Sequence, residues 1–283
     1  MDRLITHLGL DTDQANLLHD RRGTTVYRID DLALKITDGL MAGREGEILK
    51  LLGTEFYRDH GWDGDDHGPD GDRSWLLLRW IEGTTLWDAL EPAHRSDSQA
   101  TRSHALACTR DAAAALAELH AAGWAHGDLQ PDHVLFERDR THLIDLACAQ
   151  HPTVTVPSYL HRGGLAHTTA PEIAAAILAS KEHITATPQA DIWSLGACLW
   201  WSWTRTPPIT YAAPAAGRPG QLADIAALRR APATTRPWPF PAFQEIIAAC
   251  LAADPADRPT AEELATSLVP QSGHTTQHSP QRA

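Results

Sequence analysis

Two short apolar runs lie close together near the middle of the chain, at residues 134–136 and 142–144, with the polar stretch 137–141 between them. This pattern predicts a β-hairpin, because apolar runs of strand length on either side of a short polar turn pair in antiparallel fashion. An antiparallel hairpin returns the chain to the place where it began. We therefore expect Asp128, upstream of the first run, and Asp145, just after the second, to converge at one end of the hairpin.

An imidazole belongs to the same group, because His133 directly precedes the first apolar run. Side chains grouped in this way can bind a divalent cation and accept a proton from a hydroxyl. An aspartate that follows a strand is also a common turn former. The hairpin pattern by itself therefore leaves a catalytic and a purely structural interpretation open.

The part of the chain before residue 90 predicts short strands and one helix. Apolar and β-branched runs at 24–29 and 32–36 are joined by a tight polar turn, a helical period follows at 42–52, and residues 75–80 predict a buried strand. We interpret the acidic residues 61–74 as a solvated loop. Calcium is disfavoured there because no bidentate glutamate stands at the EF-hand spacing.

Most of the chain after residue 98 is predicted to be helical. Residues 103–122 have an alanine-rich helical pattern, a later helix carries four tryptophans for which we expect core packing, and proline-rich connectors occupy 206–219 and 231–241. The histidines at 151, 161 and 167 are uneven in spacing and lack cysteine partners. We interpret them as solvated loop side chains rather than as zinc ligands.

These patterns predict an α+β fold with two lobes, a small β-rich lobe followed by a larger, mainly helical lobe. The predicted boundaries are 1–81 for the first lobe, with its strands and one helix, 82–268 for the helical lobe, and 269–283 for a disordered polar tail.

The charge balance excludes some classes of partner. The chain carries 24 Lys plus Arg against 36 Asp plus Glu, a formal net charge of −12. Nucleic-acid binding needs clustered cations, and a negative field also repels anionic membrane surfaces, so neither partner is expected. No apolar run approaches the ~18 residues of a membrane span and no signal-peptide pattern is present, which predicts a cytoplasmic protein.

A resemblance to a known family rests on motifs in a fixed order. The run His-Gly-Asp at 126–128, with its flanking residues 116–135, resembles the catalytic loop of the protein-kinase-like superfamily, which includes bacterial serine/threonine kinases and aminoglycoside phosphotransferases. The other motifs of that family follow in its order, with Lys35, Glu45, Asp145, Glu172, Asp191 and Arg258 at the matching positions. The resemblance covers residues 20–268, and the order of the motifs makes it specific.

This resemblance implies a bilobal kinase fold that uses ATP and Mg²⁺. Lys35 would bind the nucleotide phosphates and Glu45 would pair with it, while Asp128 would orient or deprotonate the acceptor hydroxyl and Asp145 would hold magnesium. Further cofactor-binding positions are implied by alignment with the family. These are Gly23, Thr24 and Val26 in the glycine-rich loop region, and Leu78 with the backbone of Arg79 and Ile81 in the hinge.

The sequence departs from the family pattern at several of these positions. Gly23 stands alone where a glycine-rich loop is expected, and His133 stands where the family has a metal-binding asparagine. His133 could therefore be a metal ligand, a proton carrier or a structural hydrogen-bonding group. Gln130 and Leu165 replace a lysine and a threonine that act together near the acceptor, which argues against an ordinary serine/threonine protein kinase.

Two functions follow from these observations. The first is an atypical ATP- and magnesium-dependent phosphotransferase that acts on a hydroxyl of a peptide, a protein or a small molecule. The second is a catalytically impaired pseudokinase that binds a peptide or a partner enzyme, as occurs in bacterial pathways that modify lanthipeptide-like natural products. The missing glycines and His133 favour the second function, whereas the presence of Lys35, Asp128 and Asp145 together favours the first.

Overall fold

The computed structural model describes residues 2–63, 73–156, 159–212, 217–230 and 235–269. Along these residues a five-stranded antiparallel sheet with one long helix is followed by a mainly helical region. The predicted α+β class with a β-rich and a helical lobe is confirmed. The predicted tail, residues 269–283, lies outside the described residues except for Val269.

The first part of the chain builds the sheet. Its elements are α1 (Asp2–His7), β1 (Ala15–Arg21), β2 (Thr24–Ile29), β3 (Leu32–Asp38), α2 (Met41–Leu52), β4 (Tyr57–Asp63) and β5 (Arg73–Arg79). The strand order is β1-β2-β3-β5-β4, and every neighbouring pair is antiparallel. Strand β3 therefore lies at the centre of the sheet.

The two faces of the sheet have different neighbours. Because side chains alternate along a strand, Lys35 of β3 shares its face with Val26 and Leu76, which lie directly opposite it on β2 and β5. The other face carries Tyr27 and Leu34, which are buried in one apolar cluster with Leu4 and Ile5 of α1. Lys35 thus points away from the face that α1 covers.

Helix α2 packs very closely on β4. A side-chain carbon at Gly43 would overlap the ring of Trp62, and one at Gly46 would overlap the side chain of His60. Two glycines separated by one helical turn therefore let β4 contact the helix backbone. This close packing fixes the position of α2 relative to the sheet.

The helical region begins after β5 and contains one small sheet. Its strands are β6 (Thr84–Thr85), β7 (Val134–Glu137) and β8 (Arg140–Leu143). Its helices are α3 (Leu86–Ala89), α4 (Glu91–Arg95), α5 (Gln99–Ala121), α6 (Pro171–Ala179), α7 (Pro188–Thr204), α8 (Gly217–Ala226), α9 (Pro241–Cys250) and α10 (Ala261–Ser267). Strands β7 and β8 form the hairpin predicted from the two apolar runs.

Helix α7 forms the centre of the helical region. Trp193, Trp200 and Trp203 of this helix are buried, which agrees with the core packing expected from the sequence, whereas the fourth tryptophan, Trp201, is only partly buried. Trp203 makes edge-on ring contacts with Trp238 and Phe243. No helix within the described ranges is both long and apolar enough to cross a bilayer.

Three boundaries differ from the sequence prediction. The acidic stretch 61–74 is not a loop at its ends, because β4 extends through Asp63 and β5 begins at Arg73, while 64–72 lie outside the described residues. The helix predicted at 103–122 begins at Gln99, where Ser98 caps it with its hydroxyl. Residues 217–219 of a predicted connector form the first turn of α8.

Candidate active site

A three-membered charge cluster joins the sheet to the helical region. Nζ of Lys35 lies 2.7 Å from Oε2 of Glu45 on α2 and 2.8 Å from Oδ1 of Asp145. The ion pair expected between Lys35 and Glu45 is present. The neighbouring acid Glu47 is excluded from this role, because its carboxylate lies 2.9 Å from Nε2 of His60.

The cluster has an unusual electrostatic balance. Burial alone would lower the pKa of Lys35, but the carboxylates of Glu45 and Asp145 outweigh it and raise that pKa above its usual value. Burial opposes ionisation of Asp145, yet the Lys35 ammonium holds the pKa of that carboxyl well below its usual range. At pH values near neutrality, Lys35 is therefore charged and Asp145 is ionised.

The backbone around Asp145 directs its carboxylate to Lys35. Asp145 adopts the left-handed backbone conformation, with φ 59° and ψ 53°, a region that residues other than glycine rarely occupy. The N–H of Leu146 donates to Oε1 of Glu45 at 3.2 Å. Helix α2 and the segment after β8 are thus held together by the same carboxylate that holds Lys35.

Arg44 strengthens this connection, and sequence reasoning missed it. Its guanidinium donates to the carbonyls of Ala147 and Ala149, both at 2.8 Å, and it is buried. The only sequence signal was an arginine next to Glu45 on the same helix. Because α2 carries both residues, the position of the helix fixes the geometry of the whole cluster.

Asp191 of α7 holds the loop that precedes β7. Its carboxylate accepts hydrogen bonds from the N–H of His126 at 2.7 Å and the N–H of Gly127 at 3.0 Å. The ring of His126 donates through Nε2 to the carbonyl of Ile144 at 3.1 Å, since a carbonyl can only accept. These bonds order the loop that presents Asp128.

One oxygen of the Asp128 carboxylate is fully engaged. Oδ1 accepts hydrogen bonds from the side-chain amide of Gln130 and from the N–H of Leu165, both at 2.9 Å. A side-chain carbon at Gly164 would overlap this same oxygen. Among the described residues no group donates to Oδ2 of Asp128, so this oxygen is available to an acceptor hydroxyl.

The contacts of Asp128 involve two positions at which the sequence departs from the family pattern. Gln130 and Leu165 replace a lysine and a threonine, and we expect this loss to argue against an ordinary serine/threonine protein kinase. The structure shows that an amide and a backbone N–H reach Asp128 from these two positions. These contacts do not test that expectation, which stays a prediction; a backbone N–H is available at any residue, so a comparison of side chains could not detect the contact of Leu165.

His133 lies between the two aspartates. Its Nδ1 lies 2.9 Å from the carbonyl oxygen of Asp128, and its Nε2 lies 3.4 Å from Oδ2 of Asp145. Because a carbonyl only accepts, Nδ1 carries the proton, and in the neutral ring Nε2 presents its lone pair to the carboxylate. Metal-binding histidines are oriented in the same way, by donating the other ring N–H to a carbonyl.

The donor set therefore fits a divalent cation. Oδ2 of Asp145 and Nε2 of His133 could hold the ion, and 3.4 Å is within the span of two atoms that each lie about 2.1 Å from a shared ion. Within the described ranges no three or more acidic, histidine or cysteine side chains form a metal-binding group. The ion would thus depend on oxygen atoms of a bound phosphate and of water.

The hinge positions lie at the end of β5. Leu78 is paired with Ala33, two residues from the Lys35–Leu76 pair and on the same face. The N–H of Arg79 donates to the carbonyl of Phe56 at 2.7 Å, and the side chain of Ile81 is buried. Within the described part of the chain the N–H of Ile81 has no acceptor.

The side chain of Arg79 has a separate task that the sequence did not indicate. It forms two hydrogen bonds of 2.9 Å with the carboxylate of Glu137 on β7. These bonds, together with His142 of β8, lower the pKa of Glu137 to about 2. A bidentate ion pair therefore ties the end of β5 to the hairpin that positions Asp145.

The glycine-rich loop of the family is replaced by a tight turn. Arg22 and Gly23 connect β1 and β2 with φ values of 55° and 74°, as in a two-residue hairpin turn. A side-chain carbon at Gly23 would overlap the carboxylate of Asp38. Thr24 shares a face with Val26 and hence with Lys35, whereas Thr25 alternates to the other face.

His161 is not a solvated loop residue, contrary to the sequence interpretation. It is buried, its N–H donates to Nδ1 of His183 at 3.2 Å, and its ring lies 3.0 Å from the hydroxyl of Tyr159. Burial lowers its pKa to about 4, with the positive charges of His183 and Arg44 acting in the same direction. The segment around His161, although polar in sequence, thus packs into the helical region.

Glu172 and Arg258 form the expected structural ion pair. Two hydrogen bonds of 2.7 and 2.8 Å join their side chains, and Arg258 is buried. This pair connects the start of α6 to the segment before α10, and it makes no contact with the cluster around Lys35.

Comparison with known proteins agrees with this geometry. The sequence model of the family described as "Protein kinase domain" matches residues 65–268, which is most of the chain. Serine/threonine-protein kinase 16 of Mus musculus is 28% identical over 133 residues, which cover 45% of this chain and 44% of that protein. Serine/threonine-protein kinase PAK 4 of Mus musculus is 29% identical over 130 residues, which cover 46% of this chain and 20% of that protein. The chain thus aligns with less than half the length of these relatives.

Proposed function

Because this chain belongs to the protein kinase domain family, we propose that it transfers the terminal phosphoryl group of ATP to a serine or threonine hydroxyl of a peptide or protein. One observation carries the proposal. Lys35 meets Asp145 at 2.8 Å, while Asp128 keeps one carboxylate oxygen without a donor among the described residues. Catalysis of phosphoryl transfer consists mostly of positioning and charge neutralisation, and these three groups supply both.

Lys35 binds the nucleotide phosphates in this proposal. Its ammonium has three donors, of which Glu45 and Asp145 use two. Because two carboxylates raise its pKa, the group stays cationic when it contacts phosphate oxygens. The carboxylate of Glu45 is buried away from water, so it holds the ammonium of Lys35 in one place.

Asp128 acts on the acceptor. The hydroxyl oxygen forms a new bond to the terminal phosphorus, the bond from that phosphorus to the bridging oxygen of ADP breaks, and the hydroxyl proton passes to Oδ2 of Asp128. Gln130 and the N–H of Leu165 hold Oδ1 from one side, and they therefore aim Oδ2 at the acceptor. A positioned base of this kind contributes about 10²–10⁴-fold to a rate.

Asp145 and His133 would hold a divalent cation, Mg²⁺ being the ion that the family uses. When bound, such an ion neutralises phosphate charge. Asp145 divides its two oxygens between roles, since Oδ1 contacts Lys35 and Oδ2 faces His133. His133 in turn is oriented by the carbonyl of Asp128, so both aspartates are linked through one ring.

The adenine ring would lie between the sheet and the hinge. Val26 and Leu78 share the face of Lys35 and offer apolar contacts, while the backbone of Arg79 and Ile81 offers hydrogen bonds. The N–H of Ile81, which has no acceptor within the described residues, supports this placement. Gly23 and Thr24 would lie nearest the phosphates, at the turn between β1 and β2.

The names of the relatives support a peptide hydroxyl as acceptor, because both are serine/threonine-protein kinases. The hydrogen bond from the N–H of Leu165 to Asp128 supports it as well, since it holds Gly164 and Leu165 beside the carboxylate proposed to act on the acceptor.

The proposal is tested by nucleotide binding followed by turnover. ATP is titrated with and without a divalent cation while tryptophan fluorescence and the melting temperature are recorded. Binding at 100 times the dissociation constant should stabilise the fold by about 2.7 kcal/mol. Lys35→Met should weaken binding, whereas Lys50→Met, a change of an exposed lysine on α2, should not. Absence of binding at millimolar ATP would favour a catalytically impaired binding protein.

A further inference from the structure

A groove with an unusual charge lies between α6 and α8. Its volume is about 550 Å³, which falls within the range of ligand pockets. Its lining includes Arg162, Leu178, Lys181 and Arg218. The charged residues in this lining are three cations, and no acidic residue is among them.

The cations of the groove are not neutralised by carboxylates. Among the described residues none of Arg162, Lys181 and Arg218 has a carboxylate within ion-pair distance. This is unexpected in a chain with a net charge of −12, where acids outnumber bases by 36 to 24. Cations without a carboxylate partner attract an anionic ligand, and a concave wall strengthens that attraction.

The two guanidinium groups are instead held by backbone carbonyls. Arg162 donates to the carbonyls of Ile177 at 2.7 Å and Ser180 at 2.6 Å, at the end of α6. Arg218 donates to the carbonyls of Arg162 at 2.9 Å and Gly164 at 2.8 Å. Carbonyl contacts fix the direction of a guanidinium but leave its formal charge in place.

The groove reaches the proposed acceptor site through one short segment. Arg218 holds the carbonyl of Gly164, and Gly164 lies so close to Asp128 that a side-chain carbon there would overlap Oδ1. A peptide whose hydroxyl approaches Oδ2 of Asp128 would therefore extend over residues 162–164 toward the groove. The groove also offers apolar surface, since 47% of Leu178 is exposed.

We propose that this groove binds acidic side chains of the acceptor peptide, next to the residue that is phosphorylated. The inference rests on the proposed kinase function and names its substrate class, an acidic peptide segment with an apolar residue. Lys181 is the specificity-determining residue, because its ammonium is exposed and makes no hydrogen bond or ion pair within the described residues. Arg218 contributes charge and also positions residues 162–164.

The test compares matched fluorescein-labelled peptides by anisotropy, without ATP. Each peptide has one serine and a leucine, with two aspartates on one side of the serine, two on the other side, or asparagines in their place. We expect one aspartate peptide to bind at least tenfold tighter than the asparagine peptide, and this preference to fall as salt is raised.

Charge reversal makes the test independent of protein stability. Lys181→Glu should weaken the aspartate peptide at least tenfold and tighten binding of a peptide with lysines in place of the aspartates. Lys50→Glu, at the exposed lysine of α2, is the matched control and should change neither affinity. A gain of affinity for the lysine peptide cannot arise from partial unfolding.

The outcomes separate this inference from the proposed function. Equal affinity of the aspartate and asparagine peptides, or a Lys181→Glu protein that binds them as the unchanged protein does, overturns the groove as an acidic-peptide site even if ATP is turned over. Acidic-peptide binding that depends on Lys181 in a protein that fails to bind ATP supports the groove and overturns the kinase function.

Discussion

Nε2 of His133 lies 3.4 Å from Oδ2 of Asp145, while Nδ1 of the same ring contacts the carbonyl of Asp128 at 2.9 Å. One imidazole therefore connects the aspartate proposed to bind the metal with the aspartate proposed to act on the acceptor. Mg²⁺ prefers oxygen ligands, whereas imidazole nitrogen suits first-row transition metals. Nε2 of His133 as a ligand therefore affects which divalent cation the site prefers.

The first prediction concerns metal preference. We expect Mn²⁺ to bind the ATP complex at least about tenfold more tightly than Mg²⁺, because His133 supplies a nitrogen ligand. His133→Asn should reduce that difference by replacing nitrogen with oxygen. Isothermal titration measures both affinities. Electron spin echo modulation of bound Mn²⁺ should show a ¹⁴N coupling in the unchanged protein that His133→Asn removes, and a protein without this coupling would contradict the assignment.

The second prediction concerns the packing of α2. In a helix interior, Gly→Ala normally adds about 1 kcal/mol of stability. At Gly46 the added carbon would overlap the side chain of His60, and overpacking typically costs about 1–3 kcal/mol. Gly46→Ala should therefore destabilise the fold and, by displacing Glu45 from Lys35, weaken ATP binding. Urea unfolding and ATP titration measure these two effects, and a more stable protein with unchanged affinity would refute this packing argument.

The third prediction follows from His161, whose buried ring has a pKa of about 4 against an ordinary value of 6.5. Between these two pH values the unfolded chain binds a proton that the folded protein excludes. Folding stability contributed by this group is therefore complete above pH 6.5 and declines as the pH falls toward 4, by up to about 1.4 kcal/mol per pH unit.

Comparison of the unchanged protein with His161→Gln isolates this effect from other buried histidines, such as His126, whose pKa burial also lowers. Urea unfolding at several pH values between 7 and 4 should give a flatter pH dependence for the variant. Parallel curves for the two proteins would show that His161 is not the group that resists protonation.

Local sequence patterns predicted the hairpin, for physical reasons. Two apolar runs around a polar turn have few alternatives to pairing, and the paired hairpin places Asp145 beside the ring of His133, which contacts Asp128 through the main-chain carbonyl of that residue. The pairing of Lys35 with Glu45 was expected from the resemblance to the kinase family, and the structure places the two charged groups 2.7 Å apart.

Elements without apolar alternation escaped prediction. Strand β4 has the sequence Tyr-Arg-Asp-His-Gly-Trp-Asp, whose polar residues resemble a loop, and its extended form comes from pairing with β5. The contact of Leu165 with Asp128 joins residues 37 positions apart in the sequence, through a backbone N–H. Such contacts are set by tertiary structure, so a single sequence carries no pattern for them.

The most direct test of the account is transfer of label from [γ-³²P]ATP to a degenerate peptide library of serine and threonine acceptors, with the unchanged protein and Asp128→Asn side by side. We predict that both proteins bind ATP with the same affinity, because Asp128 does not contact Lys35 or Asp145. We predict transfer by the unchanged protein and a rate about 10²–10⁴-fold lower for Asp128→Asn. Equal transfer by the two proteins, or ATP binding without any transfer by the unchanged protein, would contradict it.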